Sequence, residues 1–205
     1  MENLLFQIFS DDRFMDLTLY QYGYEKCLPL HSYGPAVRNH YLFHYVISGK
    51  GTLSVDKVTY SREYEIHGGM GFLIEPGQIN TYYADRADPW EYTWIEFDGM
   101  KVKEILETAG LSTESPVYTP KSEQAGNMLK EELLYLATCQ KKTSYHLIGH
   151  MFLIMDALLS GSAAKRKIQN GKRTQFYTNE AITFISSNYS FPITVEDIAS
   201  RLNLD

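Results

Sequence analysis

Tyr41–Ser48 reads YLFHYVIS, and Gly49-Lys50-Gly51 follows it directly. Aromatic and β-branched residues in an unbroken run of this length predict a strand, and the glycine-bounded turn sends the chain back into a second one, Thr52–Val55. Side chains alternate across a strand, so His40, Leu42 and His44 share one face. Upstream, Asp16–Tyr24 (DLTLYQYGY) alternates well. Downstream come Tyr60–Ile66, Gly71–Ile74, Gln78–Ala84 and Glu91–Phe97, separated by Gly68-Gly69, Pro76-Gly77 and Asp88-Pro89. Many short strands at regular spacing between about 14 and 97 predict an all-β sandwich or barrel.

From residue 101 the period changes to that of a helix. Val102, Ile105 and Leu106 mark a short helix that stops at Gly110. Ser122–Cys139 places Ala125, Met128, Leu129, Leu133 and Leu136 largely on one face. Ser144–Leu159 is apolar over more than half its circumference, with Leu147, Ile148, Met151, Phe152, Ile154, Met155 and Leu158. The loop between these two helices is short, which predicts antiparallel neighbours. Residues 161–175 (GSAAKRKIQNGKRTQ) are small, polar and basic, and read as a flexible linker. Beyond it, Ala181, Ile182, Phe184 and Ile185 have helical spacing until Pro192. Thr194-Val195-Glu196-Asp197 then offers a helix start, with Ile198, Ala199 and Leu202 as the buried face.

Composition narrows the function. The net charge of −6 argues against a chain whose whole surface grips nucleic acid. The charge is uneven: Lys165, Arg166, Lys167, Lys172 and Arg173 form a basic connector after an acidic body. At 44% hydrophobic residues a sizeable core is expected, and the 16 tyrosines skew toward strands and binding surfaces. Cys27 and Cys139 are far apart in sequence, which fits a reducing compartment without a disulfide framework. The apolar stretch 151–159 is interrupted by Asp156 and too short for a bilayer, so a soluble, cytoplasmic protein is expected, with no membrane partner. Nothing in the chain matches a Gly-x-Ser-x-Gly, a His-Glu-x-x-His or a phosphate loop, and no catalytic residue is assigned.

Two separated regions carry a family resemblance. Gly34–Gly51 (GPAVRNHYLFHYVISGKG), Gly69–Tyr82 (GMGFLIEPGQINTY) and Trp90–Gly99 (WEYTWIEFDG) resemble the N-terminal ligand-binding cupin of AraC-type transcription regulators. Residues 178–204 (TNEAITFISSNYSFPITVEDIASRLNL) resemble the opening of the AraC-type helix-turn-helix region. The form of CLPLHSYGPAVRNHYLFHYV is similar to regulators of multiple-sugar and raffinose-type genes. The resemblance implies an α+β protein: a cupin-type β-barrel (a double-stranded β-helix or jelly roll), then an antiparallel helical pair. It implies a ligand-binding and dimerisation domain over 1–160, a linker over 161–175, and the start of a DNA-binding domain over 176–205. In that last part Thr194, Glu196, Asp197, Ile198, Ala199 and Leu202 match the helix-turn-helix start. The sequence stops at Asp205, where the first recognition helix would begin, so a truncated form without specific DNA binding is expected, although the full-length protein would bind DNA.

The resemblance also directs attention to a pocket. It places Trp94 and Tyr82 where aromatics line the sugar site of arabinose-type sensors, with Tyr92 on the same strand face as Trp94. Arg38 substitutes, at a shifted position, for a pocket arginine that would align nearer Gly34. His31 and Tyr33 are expected at the mouth, Glu75 as an extra acceptor, and His40 and His44 as a pocket residue and a structural histidine. Each has a plainer alternative: Trp94 as core, Arg38 paired with a surface acid, His31 and Tyr33 as ordinary loop residues. Cupins often hold a metal on two close histidines, a glutamate and a later histidine. Here His40 and His44 are four apart and Asn80 stands where the later histidine would sit, so no metal and no cofactor are expected. The expected effector is a small molecule, a mono- or oligosaccharide, and the expected partner a second copy, through Leu129, Leu133, Leu136, Leu147, Met151, Ile154 and Leu158. The alternatives are a metal-dependent cupin enzyme acting on a sugar, and a dimerisation module without ligand.

Overall fold

The computed structural model describes residues 4–8, 16–56, 61–140, 143–165 and 172–202. The chain divides into two compact units, Met1–Arg166 and Lys167–Asp205. In the first, the strands are β1 (Leu4–Ile8), β2 (Thr18–Lys26), β3 (Ser32–Ala36), β4 (Tyr41–Ser48), β5 (Lys50–Asp56), β6 (Ser61–His67), β7 (Gly71–Ile74), β8 (Ile79–Ala84), β9 (Glu91–Asp98) and β10 (Val117–Tyr118). They form a six-stranded sheet in the order β1-β2-β9-β4-β7-β10 and a four-stranded sheet in the order β3-β8-β5-β6. Neighbouring strands pair antiparallel throughout. The architecture is α+β, a cupin-type barrel of two sheets followed by helices.

β4 shows why its sequence is apolar from end to end. Leu42 and Val46 join Phe72, Ile74 and Tyr92 between the sheets, where they meet Leu53, Val55, Ile66, Tyr82 and Ala84 of the four-stranded sheet. Phe43 and Tyr45 join a second core, with Leu19, Ile95 and Phe97, on the helix side of the same sheet. A strand buried on both faces has no polar side to show. Gly49, at φ +77, makes the turn into β5 in a conformation that other residues adopt at a cost.

The helices are α1 (Val102–Thr108), α2 (Glu123–Thr138) and α3 (Ser144–Gly161). Ser122 and Thr143 cap α2 and α3 by accepting from the backbone N–H of Ala125 and His146. Two side-chain contacts fix the helices as antiparallel: the Tyr135 hydroxyl lies 3.1 Å from His146 Nε2, and His150 Nδ1 lies 2.7 Å from Glu132. The seven side chains expected at a dimer interface (Leu129, Leu133, Leu136, Leu147, Met151, Ile154 and Leu158) are instead core. All are 5% exposed or less and pack with Phe43, Tyr45 and Phe97. A single helix stripe cannot face the sheet and a partner together, and at about 1.5–3 kcal/mol per buried aliphatic side chain the sheet holds it firmly. The apolar surface that the pair exposes is carried by Met128, Phe152 and Leu153 among others.

Three strands were not expected from the sequence. β1 is mostly exposed and pairs along β2. β3 contains Gly34 and Pro35 and lies at the edge of its sheet, where proline is tolerated. β10 has two residues. The stretch 161–175 is also less of a linker than its composition implied. Ser162 is buried and donates to the Ala109 carbonyl at 2.6 Å, and Ala163 N–H donates to Thr119 O at 2.9 Å. Smallness serves packing here: a Cβ on Gly161 would lie 2.9 Å from the Tyr118 hydroxyl. Residues 166–171 lie outside the described residues.

The second unit contains α4 (Lys172–Asn188) and α5 (Val195–Arg201). The helix start read at Thr194 is a reciprocal box: Thr194 Oγ1 accepts from Asp197 N–H at 3.1 Å, and Asp197 accepts from Thr194 N–H at 2.9 Å. The Thr194 hydroxyl, which also donates to the Asp197 carboxylate at 2.7 Å, and then the Thr194 backbone N–H hold the Asp197 carboxyl below its ordinary pKa. Ile198 and Ala199 are half-buried and Leu202 is buried, while Glu196 is exposed. Among the described residues no helix is long and apolar enough to cross a membrane.

Candidate functional site

The space between the sheets is graded from apolar to polar. Trp90, fully buried, donates its indole N–H to Ile66 O at 3.1 Å and packs with Phe72, Tyr82 and Tyr92. His44 follows along β4. Its ring stacks on Phe72 at 4.6 Å, meets Tyr92 edge-on at 4.9 Å, and lies 5.0 Å from Tyr82 and 6.2 Å from Trp94. Burial, and then the Arg38 charge, push the His44 pKa well below its ordinary value, so the imidazole is neutral. Burial raises the phenol pKa values of Tyr82 and Tyr92, and both remain hydroxyls.

Glu96 anchors the polar end. It is 5% exposed. Arg38 donates from Nη1 to its Oε2 at 3.1 Å, and His40 Nδ1 lies 3.3 Å from its Oε1. His40 stacks on Tyr20 with ring centroids 3.6 Å apart. The Arg38 guanidinium lies 4.8 Å from the centre of the Tyr33 ring, which in turn stacks on Tyr82 at 5.4 Å. Asn80 is fully buried and donates to the carbonyls of Ala36 and Gln78. Among the described residues, four buried polar atoms here have no hydrogen-bond partner: Arg38 Nε, His44 Nδ1, Gln78 Nε2 and Asn80 Oδ1. A buried polar group without a partner costs about 1–3 kcal/mol, so such a concentration in one place requires a reason.

Among the pocket residues expected from sequence, the structure brings Tyr33, Arg38, His44, Tyr82, Tyr92 and Trp94 together, with His40 joined through Glu96. Trp94 lies over Gly23, where a Cβ would come within 2.5 Å of the indole, and Phe6 stacks on it at 6.4 Å. Glu75 goes elsewhere: its carboxylate accepts from Thr113, on the loop after α1. His31 lies 3.6 Å from Glu25, whose other oxygen accepts from the Tyr92 hydroxyl at 3.0 Å. Arg38 does pair with an acid, but a buried one. Glu96, Asn80 and Gln78 were missed as site residues. The available signal was alternation, since Tyr92, Trp94 and Glu96 succeed one another on one face of β9, as Asn80 and Tyr82 do on β8.

Residues 18–170 match the model of the AraC-like ligand binding domain. The chain belongs to the AraC family of transcription regulators. Its relatives include the Msm operon regulatory protein of Streptococcus mutans, 30% identical over 92% of this chain and 67% of that protein. The raffinose operon transcriptional regulatory protein RafR of Pediococcus pentosaceus is 28% identical over 89% of this chain and 66% of that protein. The lactose operon transcription activator of Staphylococcus xylosus is 22% identical over 94% and 68%. The AraC-family chain thus spans about two thirds of the length of these relatives, which are regulators and not enzymes. For this regulator the barrel is the ligand-binding module, and the site above lies inside the matched residues.

Proposed function

We propose that the polar end of the barrel binds a neutral, polyhydroxylated effector, a mono- or oligosaccharide, and that its occupancy controls DNA binding by the helical region that begins at α4. One observation carries the reading. Buried donors (Arg38 Nε, Gln78 Nε2), a buried acceptor (Asn80 Oδ1) and a neutral imidazole nitrogen lack partners among the described residues, beside the faces of Tyr82 and Trp94. Sugar hydroxyls both donate and accept, and their C–H patches favour aromatic faces. The Arg38 charge already faces Glu96, which disfavours an anionic effector. The operons named for the relatives point to the same ligand class.

A thermal-shift panel of mono- and oligosaccharides tests this. A true effector at a hundredfold excess over its Kd adds about 2.7 kcal/mol to the folded state and raises Tm. Asn80→Ala and Trp94→Ala abolish that shift. A panel in which only anions raise Tm overturns the reading.

The Thr194–Leu202 segment is the proposed start of the helix-turn-helix, and the cytoplasm, where the DNA lies, the proposed site of action. The partner is proposed to be a second copy, docked on the exposed side of α2 and α3.

A further inference from the structure

Glu25, Cys27 and His31 place a carboxylate oxygen, a thiol sulfur and an imidazole nitrogen all within 4.8 Å of one another. Among the described residues no other group brings three such ligand atoms together. The local backbone explains the meeting. Glu25 pairs opposite Tyr92, one residue before β2 ends, and Cys27, two residues on, falls on the same side. Cys27 N–H is held by Trp90 O at 2.8 Å. The chain then turns: His31 N–H donates to Leu28 O at 3.0 Å, Leu30 sits at φ +60, and His31 O accepts from Ala84 N–H at 2.9 Å. The turn therefore returns His31 to a fixed place beside the strand it left.

The turn is also inside out by the ordinary rule of burial. Leu28 and Leu30 are 69% and 51% exposed, while Cys27 is 5% exposed. An arrangement that turns leucines to solvent and collects a thiol, an imidazole and a carboxylate is not explained by hydrophobic packing.

We propose that Glu25, Cys27 and His31 form a Zn2+ site on the rim of the barrel, with the fourth position open to solvent. This proposal does not depend on the effector reading. Thiolate, imidazole and carboxylate are all zinc ligands, and a tetrahedral site needs donor atoms about 3.3–3.6 Å apart. His31 Nδ1 and Glu25 Oε1 already stand at 3.6 Å. The Tyr92 hydroxyl, bonded to the second Glu25 oxygen, is the outer partner that orients a ligating carboxylate. Burial pushes the Cys27 thiol pKa up to about 12, so the metal displaces a proton, which is released to solvent. Through Tyr92 the site is continuous with the ring cluster around His44.

The test is Co2+ titration of the chelator-treated full chain. A thiolate-to-cobalt band in the near ultraviolet is expected at one equivalent, and Zn2+ bleaches it. Cys27→Ser loses the band, and His31→Gln weakens Zn2+ binding at least about tenfold in competition with a chromophoric chelator. Cys139→Ser and His150→Ala, which alter the other cysteine and the His150–Glu132 pair between α3 and α2, leave both readings unchanged. Far-ultraviolet circular dichroism confirms folding, and His31→Gln, at a half-exposed side chain, carries the test should Cys27→Ser unfold. Absence of the band, its survival in Cys27→Ser, unchanged Zn2+ affinity in His31→Gln, or loss of binding in either control overturns the proposal.

Discussion

Glu96 divides its two oxygens between Arg38 and His40. Removing Arg38 leaves a buried carboxylate with one remaining partner. Arg38→Ala is expected to lower unfolding free energy by about 2–3 kcal/mol in urea titration, with Arg38→Ala/Glu96→Gln recovering part of the loss. A double variant no more stable than the single one would show that the pair is not the cause. His44 gives a second residue-scale test. Its folded pKa lies well below the ordinary 6.5 because burial disfavours the charged ring. Below pH 6.5 the unfolded chain therefore binds a proton that the folded chain refuses. This contribution to stability is full above pH 6.5 and declines as pH falls, by up to about 1.4 kcal/mol per unit, until the folded pKa is reached. His44→Leu should flatten that slope between pH 6.5 and 5, above the range where carboxylates titrate, in denaturant unfolding at stepped pH. Glu96 was hard to read in the sequence for a physical reason. A strand glutamate is ordinarily exposed, and its cation comes from a loop 58 residues earlier.

At the scale of the element, close approach sets the tightest constraints. A Cβ on Gly23 would lie 2.2 Å from Leu5 O and 2.5 Å from the Trp94 ring. Gly23→Ala is expected to loosen β1 from β2 and displace Trp94, read as a shift in tryptophan fluorescence and a loss of effector-induced stabilisation. An unchanged emission spectrum would mean that the indole has room to retreat. In the second unit, Thr194→Ala removes half of the cap box and should cost about 1 kcal/mol of α5 stability, seen as lost amide protection at the first turn. The strongest elements were the ones legible in advance. YLFHYVIS is bounded by glycine and apolar on both faces, and Thr194 with Asp197 has cap spacing. β1 was not legible, because a strand whose burial is slight leaves no alternation in its sequence.

On the scale of the whole molecule, periodicity revealed that α2 and α3 carry a broad apolar surface but not which way each residue turns. Leu129 and Met151 face the sheet, whereas Phe152 and Leu153 face out. The partition depends on where the sheet stands, and no single helix encodes that. The dimer proposal is therefore tested on the outer set: Phe152→Asp/Leu153→Asp should convert a dimer to a monomer in sedimentation equilibrium while the far-ultraviolet circular dichroism spectrum stays unchanged. A wild-type chain that stays monomeric at high concentration would refute it.

The two-sided burial of β4 bears on engineering. Leu42, His44 and Val46 look into the barrel while Phe43 and Tyr45 bed the helices, and all five ride on one backbone. A chimera that grafts another regulator's helices onto this barrel must import the matching outward residues of that strand as well. Its inward residues would then sit on a backbone tuned to foreign neighbours, so ligand preference should drift even in grafts that leave every pocket side chain as it was.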